Sequence, residues 1–295
     1  MIIDIHAHTS THKMWNLHTE DASIERLQDE ACRLEVKKIV VLATYFPFKG
    51  TGLCNRDMLE RVKGDDLFIV FGSLDVMNNL VGGLKELDEL AAADLIRGIK
   101  LYPGYQAFSP SDSEVFPVYE IANKYNLPVM FHGGELHHCC PSDDRNRGQY
   151  KCKQNPCPIN IYQHLSHPDR LRQAVESFPN VKFIVSHLAN PYFEALRKLM
   201  SEFGNVYTDI SGQFVSGNSQ ENEDTLEYRT FLVKEINKFV EVPNGIERIM
   251  FGTDFPIQSY DDSVWLVEHL NLTPVEKANI YCFNAEKVLG QIISD

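Results

Sequence analysis

The sequence predicts a single-domain α/β fold closed as a (β/α)8 TIM barrel, with a lid inserted after the fifth strand. Three observations predict it. Eight short β-branched or apolar runs recur along the 295 residues, and stretches of helical period separate most of them. Alternation of that kind builds a parallel sheet, and eight repeats favour a closed barrel over an open, doubly wound sheet. Finally, Gly50-Thr51-Gly52 and Gly82-Gly83 have neither the spacing nor the setting of a dinucleotide-binding loop.

In chain order the predicted strands are Met1–Ile5, Lys38–Thr44, Leu67–Leu74, Ile96–Tyr102, Leu127–Phe131, Val181–Ser186, Val206–Ile210 and Arg248–Gly252. The first predicted helix, Ser23–Glu35, places Ile24, Leu27, Ala31 and Leu34 on one face. Gly83–Ala93, Ser113–Lys124, Pro168–Phe178 and Glu194–Phe203 have the same period. Ser113 precedes an acidic turn, and Thr273-Pro274-Val275-Glu276 reads as a capping box with proline at the first helical position. Pro128 and Pro179 stop the helices ahead of two strands, because the residue before a proline is driven out of the α region. Residues 134–166, polar and rich in Pro and Cys, follow the fifth strand and are predicted as a lid over the barrel mouth. A second polar stretch, Ser211–Thr225, falls on the same rim.

Hydrophobic residues at 43% and charged residues at 23% describe a globular chain and exclude a disordered one. Lys and Arg total 28 against 41 Asp and Glu, for a formal charge of −13. That balance argues against nucleic acid or an anionic membrane as partner, since neither offers counter-charge. No apolar run approaches the ~18 residues of a membrane helix. The opening Met1-Ile2-Ile3-Asp4 has neither a basic nor a long apolar region, so no secretory signal and a cytoplasmic location are expected. Of seven cysteines, Cys139, Cys140, Cys152 and Cys157 crowd one short polar stretch, whereas Cys32, Cys54 and Cys282 are scattered and expected to be buried packing.

The chemistry concentrates at strand ends. In Asp4-Ile5-His6-Ala7-His8, residues two apart project to one face, so both imidazoles converge, with Asp4 deeper in a hydrogen-bonding role. Two convergent imidazoles begin a metal site. His132 ends the fifth strand, His187 the sixth and Asp254 the eighth, while Lys100 lies near the end of the fourth. In a barrel all these ends face one cavity, which makes a metal centre a better account than polar residues merely opening loops. Lys100 reads as an ammonium facing a substrate carboxylate beside Tyr102 and Tyr105. Asp209 binds substrate, orients a ligand or caps a loop, and Glu135 stands within reach of the site. His137, His138, Cys139, Cys140, Cys152 and Cys157 form either a second, structural zinc site in the lid or a set of free thiols.

These segments together resemble the amidohydrolase superfamily, and within it the amidohydrolase-related branch that includes lactonases and aminocarboxymuconate-semialdehyde-type decarboxylases. The resemblance runs over nearly the whole chain. It rests on residues 4–8, Arg97–Pro103, Pro128–Gly134, Ser186–Pro191, Asn205–Gly212, Phe251–Pro256 and Asn284–Leu289. It implies one divalent metal in the barrel, most often zinc, held by His6, His8, His132 and Asp254, with His187 beside the reacting water or substrate. For two-metal members the resemblance implies instead that Lys100 is a carboxylated bridge between the metals. The expected activity is hydrolysis of an amide, lactone or related carbonyl bond in a small polar molecule, with Asp254 and His187 handling protons. Non-oxidative decarboxylation of a small carboxylated aromatic or unsaturated substrate is the alternative, and a metal-dependent scaffold without activity is a third reading. A homodimer is the expected assembly.

Overall fold

The computed structural model describes residues 1–9, 22–45, 53–137, 157–214 and 223–290. Eight parallel strands form one sheet in sequential order: β1 Ile2–Ala7, β2 Val36–Leu42, β3 Phe68–Gly72, β4 Gly98–Leu101, β5 Val129–Phe131, β6 Phe183–Val185, β7 Val206–Asp209 and β8 Ile249–Met250. Each overlaps the run predicted for it. The sheet closes on itself through Ile5 N–H to the Phe251 carbonyl (3.1 Å), His8 N–H to the Phe255 carbonyl (2.7 Å) and a parallel bridge between Ala7 and Phe255. The predicted TIM barrel is the observed fold.

The helices are α1 Ile24–Leu34, α2 Asn55–Arg61, α3 Leu80–Ala92, α4 Phe116–Tyr125, α5 Pro158–Tyr162, α6 Arg172–Ser177, α7 Phe193–Glu202, α8 Glu223–Val240, α9 Tyr260–Glu268, α10 Pro274–Ala278 and α11 Asn284–Leu289. Ser23 caps α1 by accepting from the Arg26 N–H, and its chain leaves the helix at Glu35 in the left-handed conformation. The Thr273–Glu276 capping box forms as predicted. Two predicted helices begin as 3-10 turns, over Ser113–Val115 and Pro168–Leu171, before α4 and α6. Sequence periodicity missed α2, which buries only Asn55 and Met58, and also α5, α8, α9 and α11. In α8, Leu226 and Phe231 are exposed while Leu232, Ile236 and Phe239 are buried, so apolar residues lie on both sides and blur the period.

Inside the barrel Ile5, Leu42, Phe71, Met130, Ile184 and Met250 pack together, and Ala285 and Val288 of α11 join the same cluster. A separate, larger cluster fills the space between strands and helices. Two residues beyond Met130 on the same strand comes His132, and two beyond Ile184 comes Ser186, so the layer above this apolar floor is polar. Asp4 keeps its expected hydrogen-bonding role but not on the face of the imidazoles. The β1–β2 register shifts between Asp4 and Ala7, and Asp4 turns to the β8 seam. There its carboxylate accepts from the N–H groups of His6 (3.0 Å) and Thr253 (3.2 Å) and from the Thr253 hydroxyl (2.7 Å).

Cys282 is buried as expected, but Cys54 is half-buried and Cys32 is exposed on α1. Of the stretch expected as a lid, residues 134–137 and 157–166 are described, and there Leu136 and Ile159 pack on Tyr102 and Tyr105. His138, Cys139, Cys140 and Cys152 of the lid cluster lie outside the described residues. Among the described residues no helix is long and apolar enough to cross a membrane.

Candidate active site

The polar layer gathers residues from β1, β4, β5, β6, β7 and β8. His6 and His8 meet at one oxygen of Asp254: His6 Nε2 lies 3.3 Å and His8 Nε2 3.1 Å from Asp254 Oδ1. A ligand atom from each of the three lies within 4.8 Å of the other two. Behind His6, Asp209 Oδ2 sits 3.1 Å from Nδ1. Asp209 Oδ1 accepts from the N–H groups of His187 (3.0 Å) and Ser211 (3.1 Å) and from the Ser211 hydroxyl. Asp209 thus meets the His6 ring with one oxygen and the N–H groups of the turns after β6 and β7 with the other.

His187 stands against His6, with ring centroids 4.8 Å apart, and His132 stands against His187 at 5.0 Å. The His187 Nδ1 lies 2.9 Å from the Ser211 hydroxyl and 3.1 Å from the Ser211 carbonyl; the hydroxyl gives its proton to Asp209 and the carbonyl can only accept, so Nδ1 carries the proton and Nε2 is left as an acceptor. Gly212 fits beside this pair because a Cβ there, at φ +64°, would lie 2.6 Å from His187 Nδ1 and 3.0 Å from Asp254 Oδ2. His6, His187 and Asp209 form a second group whose ligand atoms lie within 4.8 Å of one another; His132 belongs to neither group and places Nε2 3.1 Å from the Glu135 carbonyl.

Burial shapes the charges. It lowers His8, presses His132 well below its usual value and brings His187 to about 3, so all three are neutral imidazoles. Burial would raise the Asp254 carboxyl, but the charge on His6 and the hydrogen bonds from His6 and His8 hold it well below the carboxylate range. Asp209 is likewise held low by His6, against the same burial. Lys100 is wholly buried, and burial lowers it to about 8 even with Asp209 and Asp254 nearby.

Of the residues proposed for substrate, Lys100 donates to the Ser186 hydroxyl (2.8 Å), and the Tyr102 hydroxyl donates to the Ala43 carbonyl (2.8 Å). Tyr105 packs on His132 (4.8 Å) and accepts from the His137 N–H (2.8 Å), while the side chain of Glu135 is exposed. Sequence reasoning missed Ser186 as the partner of Lys100 and Ser211 as the partner of His187. Both lie in segments that carried the resemblance, so the signal was present without a role.

The residues fit a divalent cation. Between Asp209 and Asp254 the two carboxylates raise His6 against its burial, so both ring nitrogens face carboxylates, and a divalent cation would take the place of the Nε2 proton while Nδ1–H stays on Asp209. The donor set is two imidazoles and one carboxylate, the chemistry of open zinc, manganese or iron sites.

Comparison with known proteins agrees with this architecture. An uncharacterized TIM-barrel protein from Bordetella bronchiseptica superposes with a TM-score of 0.69 at 17% identity, covering 99% of each chain. A dihydroxybenzoic acid decarboxylase from Polaromonas sp., solved with manganese and 2-nitroresorcinol, gives 0.65 at 14% identity over 100% of this chain and 99% of its own. A probable 2-pyrone-4,6-dicarboxylic acid hydrolase from Acinetobacter baumannii, with citric acid bound, gives 0.65 at 14% identity over 98% and 99%. No curated protein sequence matches. The amidohydrolase family profile matches residues 3–291. With the barrel closed and the strand-end histidines and aspartate brought together, that match over nearly its whole length makes this chain a member of the amidohydrolase family, whose enzymes depend on metal.

Proposed function

We propose that this protein hydrolyses a carbonyl-centred bond, an amide or a lactone, in a small polar molecule, using a divalent metal held by His6, His8 and Asp254, with His132 as the donor from the β5 wall. When bound, the metal supplies a Lewis acid that makes water acidic near neutral pH and polarises a carbonyl. The observation that carries the reading is the direction of the hydrogen bonds. Because His187 gives its Nδ1 proton to Ser211, it presents an acceptor at Nε2, and Asp254 is a carboxylate kept ionised. Two proton acceptors around one position suit a reaction that begins by taking a proton from water. Lys100, bonded to Ser186, brings positive charge near both buried carboxylates and limits the negative charge of the site.

Decarboxylation is the second reading. It is favoured by the same buried ammonium, which complements a substrate carboxylate, and by the decarboxylases among the structural neighbours. The two are separated by incubating zinc- or manganese-loaded protein with lactones and amides in one series and carboxylated phenols in another. Acid released without CO₂ is the expected result; CO₂ released from the phenols with no turnover of the first series replaces hydrolysis by decarboxylation.

The Asp209 contact makes a separate prediction. Asp209→Asn keeps the shape but weakens the hold on the His6 ring, and metal affinity is expected to fall about 10–100-fold, as for other lost outer-shell partners. Competition with a chromophoric chelator measures this. Unchanged affinity would mean that the His6 ring is held by packing alone.

A further inference from the structure

His187 sits on an unusual piece of backbone. His187, Leu188 and Ala189 have φ of 63°, 53° and 52°, three consecutive side chains in the left-handed region that residues with a Cβ disfavour. Such a turn persists only where its surroundings dictate it. One restraint is Asp209, which accepts the His187 N–H. The Asn190 and Tyr192 N–H groups donate to the His187 and Ala189 carbonyls (2.9 and 2.6 Å), and a further restraint is a residue with no role so far, Gln213, on the stretch after β7.

The Gln213 amide is 5% exposed, and both its heteroatoms are engaged. Its Nε2 donates to the His187 carbonyl (2.9 Å) and to the Ser211 carbonyl (2.9 Å). Its Oε1 accepts from Asn190 Nδ2 (2.9 Å). The Ser211 carbonyl is one of the two Ser211 oxygens, with the hydroxyl, that stand against the His187 Nδ1 proton. One side chain thus ties both ends of the imidazole's support, the backbone that carries it and one of the oxygens that select its tautomer.

Gln213 is itself held in place. Its N–H and that of Phe214 donate to Gln258 Oε1 (2.6 and 3.1 Å). Gln258 Nε2 donates to Ser263 on α9, whose hydroxyl reaches the Gly252 carbonyl at the end of β8 (2.6 and 3.1 Å). On the far side the Asn190 carbonyl accepts the Glu135 N–H (2.7 Å), and a Cβ on Gly134 would lie 2.1 Å from that oxygen. The amide therefore bridges the segments after β5, β6, β7 and β8.

We propose that Gln213 is the positioning residue of this site, holding the His187 ring and keeping its proton on Nδ1 so that Nε2 faces the reacting position. This rests on the reading of His187 as proton acceptor, and the test separates the two. Gln213→Glu has the same size but offers acceptors to two carbonyls; Gln213→Ala removes the amide and serves if the first variant does not fold.

Metal-loaded protein labelled with ¹⁵N-histidine reports the tautomer, with His187→Asn assigning the signal. Wild type is expected to show a protonated Nδ1 and a bare Nε2. In the variants the population moves toward Nε2–H, while kcat on a lactone or ester turned over by the wild type falls about 10–100-fold at nearly constant KM. An unchanged His187 tautomer in a folded variant overturns the proposal. A shifted tautomer with unchanged turnover supports the positioning by Gln213 and overturns instead the role given to His187.

Discussion

Asp254→Asn is expected to reduce kcat/KM by about 10²–10⁴-fold, the range for loss of a positioned general base. The substitution keeps the side-chain volume and leaves an oxygen for His6 and His8, so the geometry around Asp254 Oδ1 survives. What disappears is the charge that lets the group take a proton. An amide has no useful basicity, whereas the wild-type carboxylate is held ionised by the His6 charge and by hydrogen bonds from both imidazoles. Because the same oxygen is a candidate metal ligand, metal content must be measured on each preparation and turnover expressed per bound ion. A residual defect in the fully loaded variant establishes the proton role. Full activity at full occupancy would remove Asp254 from the chemistry and leave it a ligand alone.

Arg248→Met is expected to be the most destabilising change that leaves the site intact. Arg248 is 4% exposed, and the hydrogen bonds of its guanidinium go to backbone carbonyls rather than a carboxylate. It reaches Met200 (2.8 Å) and Phe203 (2.9 Å) at the C-terminal end of α7, Val206 (3.1 Å) at the start of β7, and Pro243 and Asn244 in the turn before β8. This one side chain caps a helix and joins it to two strands. Methionine fills the volume and donates nothing, which strands several buried acceptors. At ~1–3 kcal/mol for each unsatisfied group, and allowing for relaxation, the loss is about 3–5 kcal/mol. Urea unfolding with an unchanged m-value checks this, alongside unchanged kcat and KM in the folded protein. A loss below about 1 kcal/mol would mean that water replaces the guanidinium at these carbonyls.

The period of two or 3.6 residues is a local property, and it was enough to place eight strands and most helices in order. It failed where burial was not one-sided, as in α8, where Leu226 and Phe231 face solvent opposite Leu232 and Ile236. The convergence of His6, His8, His187 and Asp254 was legible for a related reason. A parallel barrel sends every strand's C-terminal end to one mouth, so a polar residue ending an apolar run has its place decided by topology.

Pairing across the mouth was another matter. Asp209 and His6 are 203 positions apart, and nothing local to Asp209 distinguishes an orienting carboxylate from one that binds substrate. The turn of Asp4 away from the imidazoles depended on a register shift against β2, and the hold of Gln213 on His187 on where two rim segments meet. By itself the sequence determined the alternation, the barrel and the identity of the groups facing its mouth. Only the tertiary structure decided which hydrogen bonds each of those groups spends on its neighbours. Hydrophobic periodicity is written residue by residue, whereas a hydrogen-bond partner exists only once distant segments have been packed to within about 3 Å.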